Sequence, residues 1–442
     1  MHVENDKNIC CEVEKGMEKM YHPMVPELVQ TSSFYFPTYE EFMAASIDEK
    51  NNYVYTRGTN PTTEILEKKI ARLERGEKCK VFASGMGAIS ATLFTLLQQG
   101  DHVLMVNTIY GESVSFVQYL EKFGVSLTKV DVAETEELFQ FVQENTKVIY
   151  FESPSSQKFE LLDLEKITVL AQKIGAYTVI DNTWASPLFQ HPLCHNVDLV
   201  IHSCSKYIGG HSDIVAGAVI GKAALVDQIF EHGHQALGAV NSPFNSWLAL
   251  RGIRTMPVRL AHQSQAIQTV LSALQKDPRI SRLYHPFVGN QQQQALAEKY
   301  LTGYGSLFAI DLKDTDFERL KTFVNALTLV TIGVSWGGFE SLALPVFKGN
   351  NLAAVQKRGL SPAHIRMYVG LEEPTSIIED IQQALDQAYG EESLLWDIKI
   401  ISWTKATPSE ISRNSPKIKE QFSEISSYFL ELNTFVLASV IQ

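Results

Sequence analysis

Short apolar runs alternate with longer amphipathic stretches from residue 80 onward: VFAS, VLMV at 103–106, VSLTKV at 125–130, VIYFE at 148–152, YTVIDN at 177–182 and LVIHS at 199–203. The segments between them, such as LEKITVLAQKIGA, carry apolar residues at helical spacing. That alternation predicts an α/β protein with a mostly parallel sheet and crossover helices. Residues 223–276 read as largely helical. From about residue 280 the pattern changes to GSLFAIDL, a helical stretch near 315–326 and HIRMYVGLE, which predicts a smaller α+β region. No internal repeat is visible. Beyond about residue 390 the chain turns rich in Ser, Thr, Glu and Lys, with Phe422, Ile425 and Phe429 spaced to line one helix face.

With 442 residues and 45% hydrophobic content, the chain has material for a large domain with a smaller one attached. The net charge of -12 and the absence of a long Lys/Arg run argue against nucleic acid or an anionic membrane as partner. The opening MHVENDKNICCEVEKG has no apolar segment, and no stretch approaches the roughly 18 apolar residues of a membrane span. Cys10, Cys11, Cys79, Cys194 and Cys204 lack zinc-like paired spacing. A cytoplasmic protein with reduced thiols, no metal site and a small-molecule substrate is expected.

The chemistry concentrates where the apolar runs end. Lys206 follows LVIHSCS, and the carboxyl end of a buried strand opens into the crevice where α/β proteins bind ligands. Its plainer role is a strand cap reaching into solvent on an apolar stem. Asp181 closes TVI, as a turn residue or as a carboxylate that holds a proton on a pyridine nitrogen. Ser203 and Ser205 flank Cys204, and their hydroxyls suit either local backbone groups or a phosphate. ASGMGAIS, with Gly85 and Met86, is a turn opening a helix, whose free N–H groups suit a phosphate. In YTRGTNPTTEILEKKIARLE, Tyr55 and Arg57 precede a helix that Thr62 or Thr63 could cap, and both offer phosphate donors.

YTRGTNPTTEILEKKIARLE, ASGMGAI, VIDNTWASPLFQHPL, HSCSKYIGGHSDIVAGAVIG, SPFNSWLALRGIRT, SWGGFESL and IRMYVGLE run in order over roughly residues 30–388. In them the chain resembles the pyridoxal-phosphate enzymes of cysteine and methionine metabolism: cystathionine lyases and synthases, methionine γ-lyase and homoserine-ester sulfhydrylases. The resemblance implies a fold-type I architecture with a seven-stranded large-domain sheet. It divides the chain into an arm (1–62) contacting a neighbouring subunit, a cofactor domain (63–260), a smaller domain (261–390) and an atypical extension (391–442). It implies that Lys206 holds pyridoxal 5'-phosphate and that Asp181 faces the pyridine nitrogen. Ser203, Ser205, Gly85 and Met86 match the phosphate cup, and Tyr55 and Arg57 the pair a neighbour supplies to it. Tyr110 matches the ring-stacking tyrosine, Arg366 the substrate carboxylate clamp and Ser335 its companion. A homo-oligomer follows, a tetramer built from dimers with shared sites.

Departures from the family pattern fall around the substrate. ESPSSQ places Ser156 where relatives commonly carry an asparagine beside the cofactor's phenolic oxygen, a change similar to that in bacterial cystathionine β-lyases. SWGGFESL, with Trp336, also resembles theirs. Val334 stands where γ-synthases and cystathionine γ-lyases tend to have glutamate and many β-lyases tyrosine, while methionine γ-lyase is similar to this chain there. Glu112 replaces methionine γ-lyase's characteristic cysteine. The reading that follows is a carbon–sulfur lyase, with cystathionine β-elimination as the leading case. A γ-acting relative is the alternative, and a scaffold or regulatory protein without turnover is a remote one.

Overall fold

The structure, a computed structural model, describes residues 5–14, 22–132 and 134–390. The chain divides into two compact units, Met1–Leu385 and Asp386–Gln442, and the architecture below is that of the first. The apolar set Phe422, Ile425 and Phe429 lies outside the described residues.

Seven strands form the larger sheet: β1 (Lys78–Phe82), β2 (His102–Val106), β3 (Ser126–Val130), β4 (Thr146–Glu152), β5 (Tyr177–Asp181), β6 (Leu199–Ser203) and β7 (Gly217–Gly221). Their spatial order is β1-β7-β6-β5-β4-β2-β3. From β6 to β3 every pairing is parallel, whereas β7 runs antiparallel to both of its neighbours, so β1 points the same way as β6.

Alternate residues of the same strands enter two separate cores. Leu104, Val106, Ile149, Phe151, Ile180 and Val200 pack into one, and Val103, Met105, Val148, Tyr150, Val179 and Ile201 into the other. Both faces are therefore covered, which is why these strands read as continuous apolar runs. Crossover helices supply the cover. Leu164–Ile174 is one, capped by Asp163 and closed by Gly175 in the left-handed region at φ 71°.

The second sheet holds β8 (Ile280–Tyr284), β9 (Leu307–Leu312), β10 (Thr331–Ile332), β11 (Leu342–Pro345) and β12 (His364–Tyr368), in the order β10-β11-β12-β9-β8. It is mixed, with β10 and β11 parallel and the other pairs antiparallel.

One expectation is corrected here. Neither Thr62 nor Thr63 caps helix Pro61–Leu73: Asn60 does, accepting from the Thr62 N–H at 3.0 Å. Proline at the first helical position has no N–H to satisfy and a φ already suited to the helix, so the cap falls immediately before it. Thr62 instead ties down the preceding arm, donating to the Glu27 carbonyl at 2.8 Å and accepting from the Val29 N–H at 2.9 Å.

Candidate active site

The common strand direction brings several carboxyl ends to one edge of the sheet. β1 leads to Ser84 and Gly85, β2 to Tyr110, β4 ends on Glu152, β5 on Asp181 and β6 on Ser203, with Lys206 in the turn beyond. Arg366 sits on β12, flanked by β11 and β9. The segment before β11 brings Ser335 to Lys206, whose amine donates to the Ser335 hydroxyl.

The Lys206 amine is brought down to about 8, first by burial and then by the positive charge of Arg366, against the pull of Asp181. It lies 5.7 Å from the Trp336 ring centre, and that ring packs on Tyr207 with centroids 5.3 Å apart. Backbone geometry permits this approach. Gly337 has φ 92°, and a Cβ there would stand 2.7 Å from the Lys206 Cα. Ser335 itself adopts φ 78°. The plainer reading of Lys206, a cap reaching into solvent, does not describe this environment.

Asp181 Oδ1 accepts from the Thr183 N–H at 3.0 Å and from the Thr183 hydroxyl, as a turn residue would. Its Oδ2 has no hydrogen-bond partner among the described residues and remains open to the crevice. Beside it in register lies Glu152, which is absent from the residues singled out from the sequence. Glu152 accepts from the Tyr110 N–H at 2.7 Å and from the Ser156 hydroxyl, so one carboxyl fixes the start of helix Gly111–Leu120 and the loop after β4. Burial, then the charge of Asp181, pushes Glu152 up to about 8, and burial raises Asp181 too. The signal in the sequence was a second acid closing a second buried run, in VIYFE.

The small residues of ASGMG serve close approach. A Cβ on Gly85 would come within 3.1 Å of Ser203 Cβ and 3.3 Å of its Oγ, so the Ser203 hydroxyl faces the start of helix Gly85–Leu96. Ser84 caps that helix through the Gly87 N–H at 2.9 Å. Met86 packs against one sheet core. Ser205 is engaged with Ala216, accepting from its N–H at 3.0 Å and donating to its carbonyl at 3.2 Å.

Tyr55 and Arg57 are not brought to this edge by their own chain. Both are exposed, with the Arg57 guanidinium 5.6 Å from the Tyr55 ring centre and its Nε donating to Gln235 at 3.2 Å. Val334, 76% exposed, and Glu112, in the first turn after Tyr110, stand at the rim. Arg366 is drawn down to about 10 by burial and by the neighbouring Arg358 guanidinium. The Tyr110 phenol is raised by burial and then by Glu112.

A sequence model of the family described as Cys/Met metabolism PLP-dependent enzyme matches residues 9–386. L-methionine gamma-lyase of Pseudomonas putida is 39% identical over 368 residues, which are 82% of this chain and 92% of that protein. Cystathionine beta-lyase of Coxiella burnetii is 34% identical over 340 residues, 75% of this chain and 87% of that protein. Among solved structures, cystathionine gamma synthase of Xanthomonas oryzae pv. oryzae, in complex with aminoacrylate and cysteine, superposes with a TM-score of 0.81 at 30% identity. It covers 87% of this chain and 98% of its own.

Proposed function

The chain belongs to the PLP-dependent enzymes of cysteine and methionine metabolism, and from that premise we propose that it is a carbon–sulfur lyase that cleaves cystathionine by β-elimination. Its cofactor is pyridoxal 5'-phosphate, and the residues present fit that group. Asp181 offers an open carboxylate oxygen for a ring nitrogen. Ser203 and the N–H groups that start helix Gly85–Leu96 form a cradle that a Cβ at position 85 would crowd. The observation that carries the reading is the Lys206 amine, held by Ser335 and depressed toward neutrality, in one crevice with Asp181, Glu152 and Arg366.

The bound cofactor supplies an electron-accepting ring that stabilises the charge left at Cα when its proton departs. Lys206, with an amine near neutrality, takes that proton and moves it on. Asp181 keeps the ring nitrogen protonated. Arg366 would grip the α-carboxylate with Ser335 beside it, and Tyr110 would stack on the cofactor ring. Ser203 would hold the phosphate together with the helix start and the loop that carries Ser205. Tyr55 and Arg57 serve the phosphate of a second copy, in keeping with their exposure and with an arm that leaves Tyr35 and Ile47 91% and 88% exposed.

β-Elimination turns cystathionine and water into homocysteine, pyruvate and ammonia. γ-Elimination gives cysteine, 2-oxobutyrate and ammonia. The γ reading is favoured by the methionine γ-lyase relative. The β reading is favoured by Trp336, whose ring adjoins the Lys206 amine in a loop similar to that of β-lyases, and by Ser156. Product analysis with cystathionine decides. Pyruvate in excess is expected, and an excess of 2-oxobutyrate overturns the β assignment in favour of γ.

A further inference from the structure

The turn that carries Tyr55 and Arg57 is fastened from inside its own chain. Its amides close locally, the Gly58 N–H donating to the Tyr55 carbonyl at 2.9 Å and the Thr59 N–H to the same oxygen at 3.3 Å. The Gly58 carbonyl is taken by Lys80 of β1, whose Nζ donates to it at 2.8 Å. That lysine is 4% exposed. Its amine also lies 3.1 Å from Glu67 Oε1, on helix Pro61–Leu73, and 4.9 Å from the Phe230 ring centre. The same Glu67 oxygen accepts from the Val81 N–H at 3.1 Å. One buried ion pair therefore ties the turn to both the strand and the helix that follow it.

A buried lysine is a costly way to fill this space. Burial raises the Glu67 carboxyl even against the pull of Lys80, and a buried ion pair is in general no more stabilising than well-packed apolar residues of similar size. An apolar side chain at position 80 could not, however, supply a donor to the Gly58 carbonyl. The turn it would leave unanchored is the one whose neighbours are committed to the phosphate. Gly58 is buried and lies between Lys80 and Gln235, since a Cβ there would stand 3.0 Å from Gln235 Nε2, while Gln235 Oε1 accepts from the Arg57 Nε at 3.2 Å. Four residues beyond Lys80, Ser84 caps the helix whose start cradles the phosphate of this chain's own site. β1 is thus a common frame for the cradle at its end and for the turn held on its side.

We propose that Lys80 is a positioning residue for the phosphate of a neighbouring site: through the Gly58 carbonyl it sets where Tyr55 and Arg57 stand when they reach the cofactor of a second copy. The inference rests on the reading that this pair serves a second copy, and it names the group that aims the pair. It has a consequence that ordinary packing lacks. A lesion at Lys80 is felt in the site across the interface and spares the site to which its own Lys206 belongs.

The test reads cofactor release rather than turnover. Lys80→Met alone would leave Glu67 buried without its partner, so it is combined with Glu67→Gln, whose amide oxygen still accepts from the Val81 N–H. Chains with Lys206→Ala form no visible band, so the band reports only sites built on the other chain in a mixture. Wild-type chains are exchanged into a large excess of chains carrying Lys206→Ala, Lys80→Met and Glu67→Gln together, and the band is followed on dilution. Cofactor affinity is expected to fall by about tenfold, the worth of one charge-assisted hydrogen bond. In the reverse mixture, Lys80→Met/Glu67→Gln chains in a large excess of Lys206→Ala chains, affinity is expected to stay within about twofold of wild type. Lys80→Gln with Glu67→Gln, one bond shorter at position 80, gives the same comparison should the methionine variant not fold. Weakening in the reverse mixture, or in neither, overturns the proposal. Arg57→Ala carried through the same two mixtures separates the two readings. If Arg57 acts across the interface and Lys80 does not, only the positioning role falls; if neither does, the shared-site reading falls with it.

Discussion

Replacing Glu152 by glutamine removes one titrating proton from the crevice and leaves its shape intact. The amide oxygen still accepts from the Tyr110 N–H, and the amide nitrogen can donate to Ser156. In the wild type, burial and the adjacent Asp181 lift Glu152 from an ordinary 4.5 to about 8. A carboxyl raised by folding is protonated in the native state and ionised in the unfolded chain between those two values. Folding therefore takes up a proton there, and stability falls as pH rises through that window, by up to ~1.4 kcal/mol per pH unit. Across the whole window the ceiling is roughly 5 kcal/mol for one site. Glu152 and Asp181 titrate as a pair, so the window belongs to the two carboxyls together and the full ceiling is not reached by one of them. Urea unfolding of cofactor-stripped protein from pH 5 to 8.5 reads the effect. The variant is expected to gain on the wild type steadily as pH rises and to be the more stable at the alkaline end. Parallel stability curves would refute the argument, since they would mean that the wild-type carboxyl loses its proton at the same pH folded and unfolded.

Three further outcomes are expected. Lys206→Ala should fold with an unchanged circular dichroism spectrum, lose the wild-type visible absorbance band and lose turnover by about 100-fold or more; near wild-type activity would remove Lys206 from the reaction. Mixing inactive Arg57→Ala with inactive Lys206→Ala should restore part of the activity if Tyr55 and Arg57 serve a second copy, because some mixed sites contain neither lesion; no recovery after demonstrated subunit exchange counts against shared sites. Gly337→Ala should cost about 1 to 3 kcal/mol in urea unfolding and lower kcat, since φ 92° and a Cβ 2.7 Å from the Lys206 Cα leave it no unstrained position; unchanged stability would mean that the loop does not pack on Lys206 as described.

Much of the larger sheet was legible because its strands are covered on both faces. VLMV, VIYFE and LVIHS announce themselves as apolar runs for the same reason that Leu104 and Val103 can enter opposite cores. β7 was harder to see, as GAVIG is bounded by glycines and runs against its neighbours. β8, with exposed Ser281 and Arg282, and the two-residue β10 carry too little apolar pattern to register. Within the site, Lys206 and Asp181 are visible as polar residues closing buried runs. Glu152 has the same signature and gains its importance only through register, which sets it beside Asp181 from 29 positions earlier in the chain.

The shared chemistry and the discrimination rest on different parts of the fold. Asp181, Glu152 and Ser203 close strands whose positions are set by pairing on both sides, so their spacing cannot change without disturbing the sheet. Val334, Trp336 and Glu112 stand on segments that leave the sheets, where a substitution meets rim solvent or one neighbouring loop. Transfer of the Cα proton, common to β- and γ-elimination, is proposed above for Lys206, which stands in the turn directly after Ser203 and so goes with the first group. The charge and shape of the substrate's far end belong to the second. Trp336 joins the two, because its ring is carried by the variable loop yet lies beside the Lys206 amine and packs on Tyr207. A change there alters both the room around the distal arm and the burial that draws the amine toward neutrality. Similarity across the whole chain can therefore join proteins that break different bonds, and the loop from Val334 to Gly337, which carries Trp336 to the Lys206 amine, is where the discrimination proposed above is to be tested.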